Sequence, residues 1–191
     1  EYIIGGKDPG VYMNEGIQIA QRETLVVRDP VVSSVPPFAR DLFFPSYQRP
    51  DYYSLRFMGF LIKNPDAGTV VGQFPHLFPA SIAIGYGLDG LTGARRAVGV
   101  WALLGVLAVY FAGKRLAGSA AAWAAAALLT LNVVQVWFSR YPNAEVVMQA
   151  LTFAALLAFG RAHADDDPFF APLAGALLGL LLFLRFDSVL G

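Results

Sequence analysis

Hydrophobic and polar positions are unevenly spread along this chain. From residue 97 onward it reads as four uncharged runs: 97–113 ("AVGVWALLGVLAVYFAG"), 116–139 ("LAGSAAAWAAAALLTLNVVQVWFS"), 146–160 and 168–184. A helix that crosses a bilayer core needs about 20 apolar residues. Flanking charged side chains can extend a shorter run by reaching back to the interface. One such run would fit the core helix of a soluble protein. Four in succession, joined by short charged loops, predict membrane helices at about 97–113, 118–139, 145–161 and 168–185.

Upstream the pattern changes. Residues 9–22, "PGVYMNEGIQIAQR", place Val11, Ile17 and Ala20 at helical spacing and predict a short amphipathic helix. Asp8 followed by Pro9 reads as its start, the aspartate as N-cap and the proline at the first helical position. "VVRDPVVSSVPPFARDLFFPSYQRP" carries five prolines and predicts irregular chain lying over something else. "YYSLRFMGFLI", "KNPDAG" and "TVVGQF" read as strand, turn and strand, a β-hairpin. Tyr47, Tyr52, Tyr53, Phe57 and Phe60 give this part the aromatic density of a membrane-interface layer. "HLFPASIAIGYGLDGL" is apolar but interrupted by Pro79, Gly85 and Gly87, and fits a short span or an interfacial helix equally.

The expected organisation is therefore a loop layer at 1–75, a juxtamembrane or re-entrant helix at 76–92, and membrane helices over 93–191. The chain is expected to be a fragment, lacking a first span and a C-terminal part. Arg95, Arg96, Arg140 and Arg185 fall at one end of the predicted helices, and Lys114, Arg115 and Arg161 at the other. That balance is too even to orient the protein by its cations.

Composition sharpens the class. The chain is 56% hydrophobic and 15% charged, with mean hydropathy +0.52, against about 25% charge in an ordinary soluble domain. It contains no cysteine, which removes disulfide frameworks and thiolate metal sites. Its net charge is zero and it has no basic stripe with interleaved aromatics, so no nucleic-acid partner is expected. The four runs hold no ionisable residue, unlike the spans of a transporter. "ADDD" at 164–167 reads as a solvated loop rather than a metal site.

"GGKDPGVY", "GQFPHLFPASIAIGYGL", "GARRAVGVWALLGVLAVYFAGKRLAG" and "LTLNVVQVWFSRYPNAEVVMQALTFAAL", in that order, resemble the N-terminal third of GT-C glycosyltransferases. The similarity is to the branch with protein O-mannosyltransferases and lipid A aminoarabinose transferases. The resemblance implies an all-α polytopic fold with residues 1–75 as an extracytoplasmic layer of short amphipathic helices and the hairpin. It implies a polyprenyl-phosphate sugar as donor and transfer to an acceptor hydroxyl or amine. A carboxylate after the first span is catalytic in that family, and Asp8 matches it. Arg95 or Arg96 matches an arginine opening the next span, and "SRYPNAE" returns Arg140 and Glu145 to the same face.

These residue types suit that chemistry. A lipid-phosphate sugar is already activated, so a carboxylate to take the acceptor's proton and cations to neutralise the departing phosphate would suffice. Asp8 is the candidate base, and Glu145 is expected to orient one of the arginines or the acceptor. Arg96, Arg140 and His76 are candidate phosphate ligands, with Lys7, Arg95, Arg185 and Asp187 as further candidates. No cofactor is required, and a divalent metal is compatible with the reaction without being indicated. Membrane lipids are expected partners, as are other membrane subunits.

Each of these residues also has a plainer role. Asp8 could only cap its helix, the arginine doublet could anchor at the interface, and Asn143 could cap the helix carrying Glu145. Arg185 and Asp187 could pair locally. The competing function is a non-catalytic membrane subunit packing small-residue faces such as "AGSAAAWAAAA" against partner helices.

Overall fold

The computed structural model describes residues 7–44, 52–57 and 59–185. Helix α1 (Lys7–Arg22) leads. Its apolar positions gave only a narrow stripe, yet every residue from Pro9 to Gln18 is buried. Gly16 allows this, because a methyl group there would overlap Ile82 and the Pro79 carbonyl. Tyr12 stacks on Phe74 with centroids 4.8 Å apart.

The proline-rich stretch is more regular than expected. It forms strand β1 (Val27–Arg28), helix α2 (Pro30–Ser34), a single 3₁₀ turn (Pro37–Ala39) and helix α3 (Arg40–Phe43). Asp29 caps α2, its carboxylate accepting from the Val31 and Val32 amides, and pairs with Arg56 at 2.8 Å. The expected single hairpin is a four-stranded antiparallel sheet of order β1-β4-β3-β2. Its other strands are β2 (Ser54–Phe57), β3 (Phe60–Asn64) and β4 (Thr69–Gly72). "YYSLRFMGFLI" therefore holds two strands, with Gly59 between them at φ 90°, a backbone that favours glycine. The fold is mostly helical with this small sheet, which is larger than the one hairpin expected beside the helices.

Helix α4 (Leu77–Leu131) is continuous only in name. Asp89, Gly90 and Gly118 have non-helical backbone and divide it into α4a (77–88), α4b (91–117) and α4c (119–131). The chain reverses at both breaks. In an unbroken helix residues 81 and 101 would stand about 30 Å apart, but Trp101 Nε1 donates to Ser81 Oγ at 3.1 Å. Residues 110 and 123 would be about 20 Å apart, but the Tyr110 and Trp123 rings lie 4.9 Å apart. The stretch at 76–92 thus folds back along α4b. The predicted helix at 118–139 is interrupted too: Asn132 ends α4c and its side chain caps α5 (Val133–Phe138), accepting from Val134 and Gln135.

Helix α6 (Glu145–Ala164) runs parallel to α4b. A methyl on Gly105 would meet Gln149 and Ala150, and one on Gly160 would meet Arg115. Helix α7 (Phe170–Leu181) returns, and the Leu77 amide donates to the Phe183 carbonyl at 3.1 Å.

Packing is inverted relative to a protein built for water. The buried seams of these helices are small residues such as Ala102, Ala108, Ala122, Ala150 and Ala158, while Leu103, Leu107, Phe111, Leu128 and Phe159 face outward. Small seams let helix backbones approach, which is how helices pack when lipid is the solvent. By length and composition, α4 and α6 are apolar enough to cross a membrane. One apolar cluster joins α1 (Tyr12, Met13, Ile17) through Phe78 and Ile82 to Val147, Leu181 and Leu184. That cluster holds the first turn of α1 against one end of the helical bundle.

Candidate functional site

Lys7, Asp8 and Pro9 form the first turn of α1. Proline is tolerated there because its missing N–H would find no helical partner, and an acid complements the positive end of the helix. Asp8 lies in the first described turn of α1, and its side chain is exposed.

Beside that turn is an open cavity of about 580 Å³. Lys7, Pro9 and Met13 of α1 line one wall, Thr92, Arg95, Arg96 and Val98 of α4b a second, and Ser139–Pro142 a third. The sharp reversal at Asp89–Gly90 places the arginine doublet in the opening turns of α4b. The loop after α5 brings Arg140 opposite. Arg96 bonds Asp89 at 2.8 Å. Among the described residues Lys7, Arg95 and Arg140 make no ion pair, so positive charge in the cavity exceeds negative. A concave cationic wall of this kind concentrates potential and draws anions.

Three carboxylates, Glu145, Asp8 and Glu15, act on the buried phenol of Tyr12. Burial raises its pKa well above the ordinary value, Glu145 and then Asp8 raise it further, and Arg185 opposes them. Glu145 stands in the first turn of α6, whose N-cap is Ala144, with no side-chain cap from Asn143. Glu145 was expected to orient one of the arginines or the acceptor. Its carboxylate accepts from Arg185 Nη1 at 3.1 Å, because the end of α7 comes back to the start of α6. Arg185 therefore has a partner forty residues away in sequence, and the expected local pair with Asp187 lies outside the described residues, as does Tyr47.

His76 does not line the cavity. Its Nδ1 lies 2.5 Å from Glu15 Oε1, with the imidazole donating, in a pair that joins α1 to the start of α4a. Glu15 and Tyr12 had not been singled out in the sequence. The signal was present in the spacing: positions 8, 12 and 15 follow the i, i+4, i+7 pattern and share a helix face.

The second group of cations stands at the far end. Lys114, Arg115 and Arg161 surround a separate depression, Asp165 bonds Arg115, and the Arg161 guanidinium lies 4.1 Å over the Phe170 ring. Along α4b, Arg96 and Arg115 are about 28 Å apart at 1.5 Å per residue. Asp165 thus serves an ion pair in the "ADDD" loop. Among the described residues no group of three His, Cys, Asp or Glu side chains could hold a metal ion.

A family model described as dolichyl-phosphate-mannose-protein mannosyltransferase matches residues 74–190. The match begins beside His76 and takes in α4 to α7, including two of the three walls of the cavity. No curated protein matches, and no solved structure does.

Proposed function

Because the chain belongs to the dolichyl-phosphate-mannose-protein mannosyltransferase family, we propose that the cationic cavity binds the phosphate of a polyprenyl-phosphate sugar for GT-C-type transfer. The observation that carries this is the convergence of Lys7, Arg95, Arg96 and Arg140 on one cavity. Asp8 is not itself in the cavity wall; it is exposed in the same turn of α1, between the lining residues Lys7 and Pro9. Guanidinium groups present forked donors that match phosphate oxygens, and their charge is complementary to the phosphate in both the intact donor and the product.

In this reading the acceptor's hydroxyl or amine attacks the anomeric carbon. The bond from that carbon to the phosphate oxygen breaks, and the pair of electrons leaves with the polyprenyl phosphate. Asp8 takes the acceptor's proton. Arg95, Arg96 and Arg140 hold the charge left on the phosphate. Glu145, held by Arg185, adds negative charge near Tyr12 without lining the cavity.

The membrane placement belongs to the same proposal. Charged ends about 28 Å apart along α4b match a hydrocarbon core of about 30 Å. Four segments serve as crossings: α4b, α4c with α5, α6, and the shorter α7 together with the apolar residues on either side of it. The reversal of α4a keeps Asp8 at the same membrane face as Arg96 and Arg140, and that face is extracytoplasmic.

The test is Asp8→Asn in the complete protein, assayed with a polyprenyl-phosphate sugar. Transfer is expected to fall about 10²–10⁴-fold, the usual contribution of a positioned proton acceptor, while donor binding persists. Wild-type transfer by that variant removes Asp8 as base. Loss of neither binding nor transfer on replacing Arg95, Arg96 and Arg140 together removes the cavity as donor site.

A further inference from the structure

Glu15 is an unusual residue for its place. It is 1% exposed, the one acid among the buried residues of α1, where Asn14 and Gln18 are buried neutral polar neighbours. One of its oxygens meets His76, and the other, Oε2, has no hydrogen-bond partner among the described residues. Gly72 of β4 lies against this carboxylate so closely that a methyl group there would overlap it. Burying a carboxylate with half its acceptors unmet is costly, and an apolar residue would fill the space at less expense. Its position shows what it does. Glu15 stands two helical turns from Asp8 on the same face of α1, and His76 immediately precedes α4a, whose far end turns at Gly90 into the arginines.

We propose that Glu15 and His76 form a positioning pair that fixes α1 along the α4a–α4b hairpin and so sets the place of Asp8 relative to Arg95 and Arg96. This rests on the function proposed above. The pair works as a tether at a distance, touching neither donor nor acceptor. Gly16 against Ile82 and Tyr12 against Phe78 are apolar contacts without direction. The polar bond of Glu15 to His76 at the start of α4a fixes the height of α1, with an exposed bond from Gln21 Nε2 to the Tyr86 hydroxyl at 2.9 Å farther along.

The tether depends on a proton. The bond to Glu15 raises the His76 pKa above the ordinary value, and burial raises that of Glu15, with the His76 bond opposing. Among the described residues Tyr12, on the same face of α1, is the other titratable group coupled to Glu15; β4 has no titratable residue, and that of α4a, Tyr86, bonds Gln21 about two turns farther along α1. Both pKa values lie above their unfolded values. The pair's contribution is therefore complete at low pH and is lost as pH rises through the raised pKa of His76. His76 is 37% exposed on its side chain and exchanges that proton with solvent.

The experiment compares wild type with Glu15→Gln, His76→Gln and the double variant Glu15→Met/His76→Leu in the complete protein. Transfer kinetics and hydrogen exchange of the α1 amides are followed from about pH 6 to pH 9, a window around the ordinary histidine value. The wild type is expected to lose kcat on the alkaline side while donor KM holds, with faster α1 exchange over the same range. His76→Gln keeps a neutral donor, so its kcat is lower by roughly ten- to a hundredfold, the scale of a small misplacement, and no longer follows that limb. The apolar double variant leaves no buried charge, so it folds where a single variant fails. Its α1 exchange is expected to be independent of pH. A kcat unchanged in all variants overturns the proposal, as does an α1 exchange rate that ignores both pH and substitution. If Asp8→Asn transfers normally, the reading of Asp8 fails, and α1 exchange still reports directly on the tether.

Discussion

At the scale of the residue, the site depends on side chains whose neighbours come from distant parts of the chain. Arg140 makes no ion pair among the described residues, so its charge is available to a ligand. Arg140→Ala is expected to weaken donor binding by about 10–100-fold, the worth of hydrogen bonds to a charged group. Arg140→Lys should recover only part of this, since a point charge replaces a fork; titration with a polyprenyl-phosphate sugar reads both. Asp8 and the arginines could be picked out in the sequence because acids and cations are rare in so apolar a chain. The partners of Glu145 and His76 could not. Arg185 and Glu15 reach them only through the return of α7 and the burial of α1. Sequence spacing holds no trace of a contact made by helices that meet end to end. The face shared by Asp8, Tyr12 and Glu15 was visible at helical spacing. What hid it was the polarity of α1, which looked like a surface helix and is almost wholly buried.

At the scale of the element, glycines decide the path. Gly118 has φ 84° and ψ 171°, a region nearly exclusive to glycine, and open space around it. Gly118→Ala is expected to cost about 1–3 kcal/mol through backbone strain alone, seen as a lower unfolding temperature in detergent. Gly93 differs: a methyl group there would overlap the Gly85 carbonyl and force α4a from α4b, so Gly93→Ala should prevent recovery of folded protein. Gly99 lies within α4b with nothing near, and Gly99→Ala should be neutral or stabilise by up to about 1 kcal/mol. Uncharged runs marked the helices well. They missed the break at Asn132, because an asparagine in an apolar run reads as tolerated until its side chain is seen capping α5. The sheet was partly legible: alternation marked its strands, but one run hid two strands and a tight turn at Gly59.

At the scale of the whole molecule, two belts of charge bound an apolar middle whose larger side chains face outward. The absence of cysteine makes the proposed crossings directly measurable. Cysteine at Ser139 and cysteine at His163, introduced separately, are expected to react with an impermeant thiol reagent from opposite sides of sealed vesicles. Reaction of both from one side would remove the four-crossing arrangement. The hydrogen bond from Leu77 to Phe183 carries a different consequence, in the order of manufacture. Its donor is made early and its acceptor late, and at about 5–20 residues per second the interval is about 5–20 s. Through that interval α1 has been synthesised, but Leu181 and Leu184 do not yet exist to help cover Tyr12 and Met13. Glu145 likewise has no Arg185. The packing beneath α1 is thus completed last, once α7 has been made. A chain cut short before that point would carry every cation of the cavity wall while the cluster that seats α1 is still open.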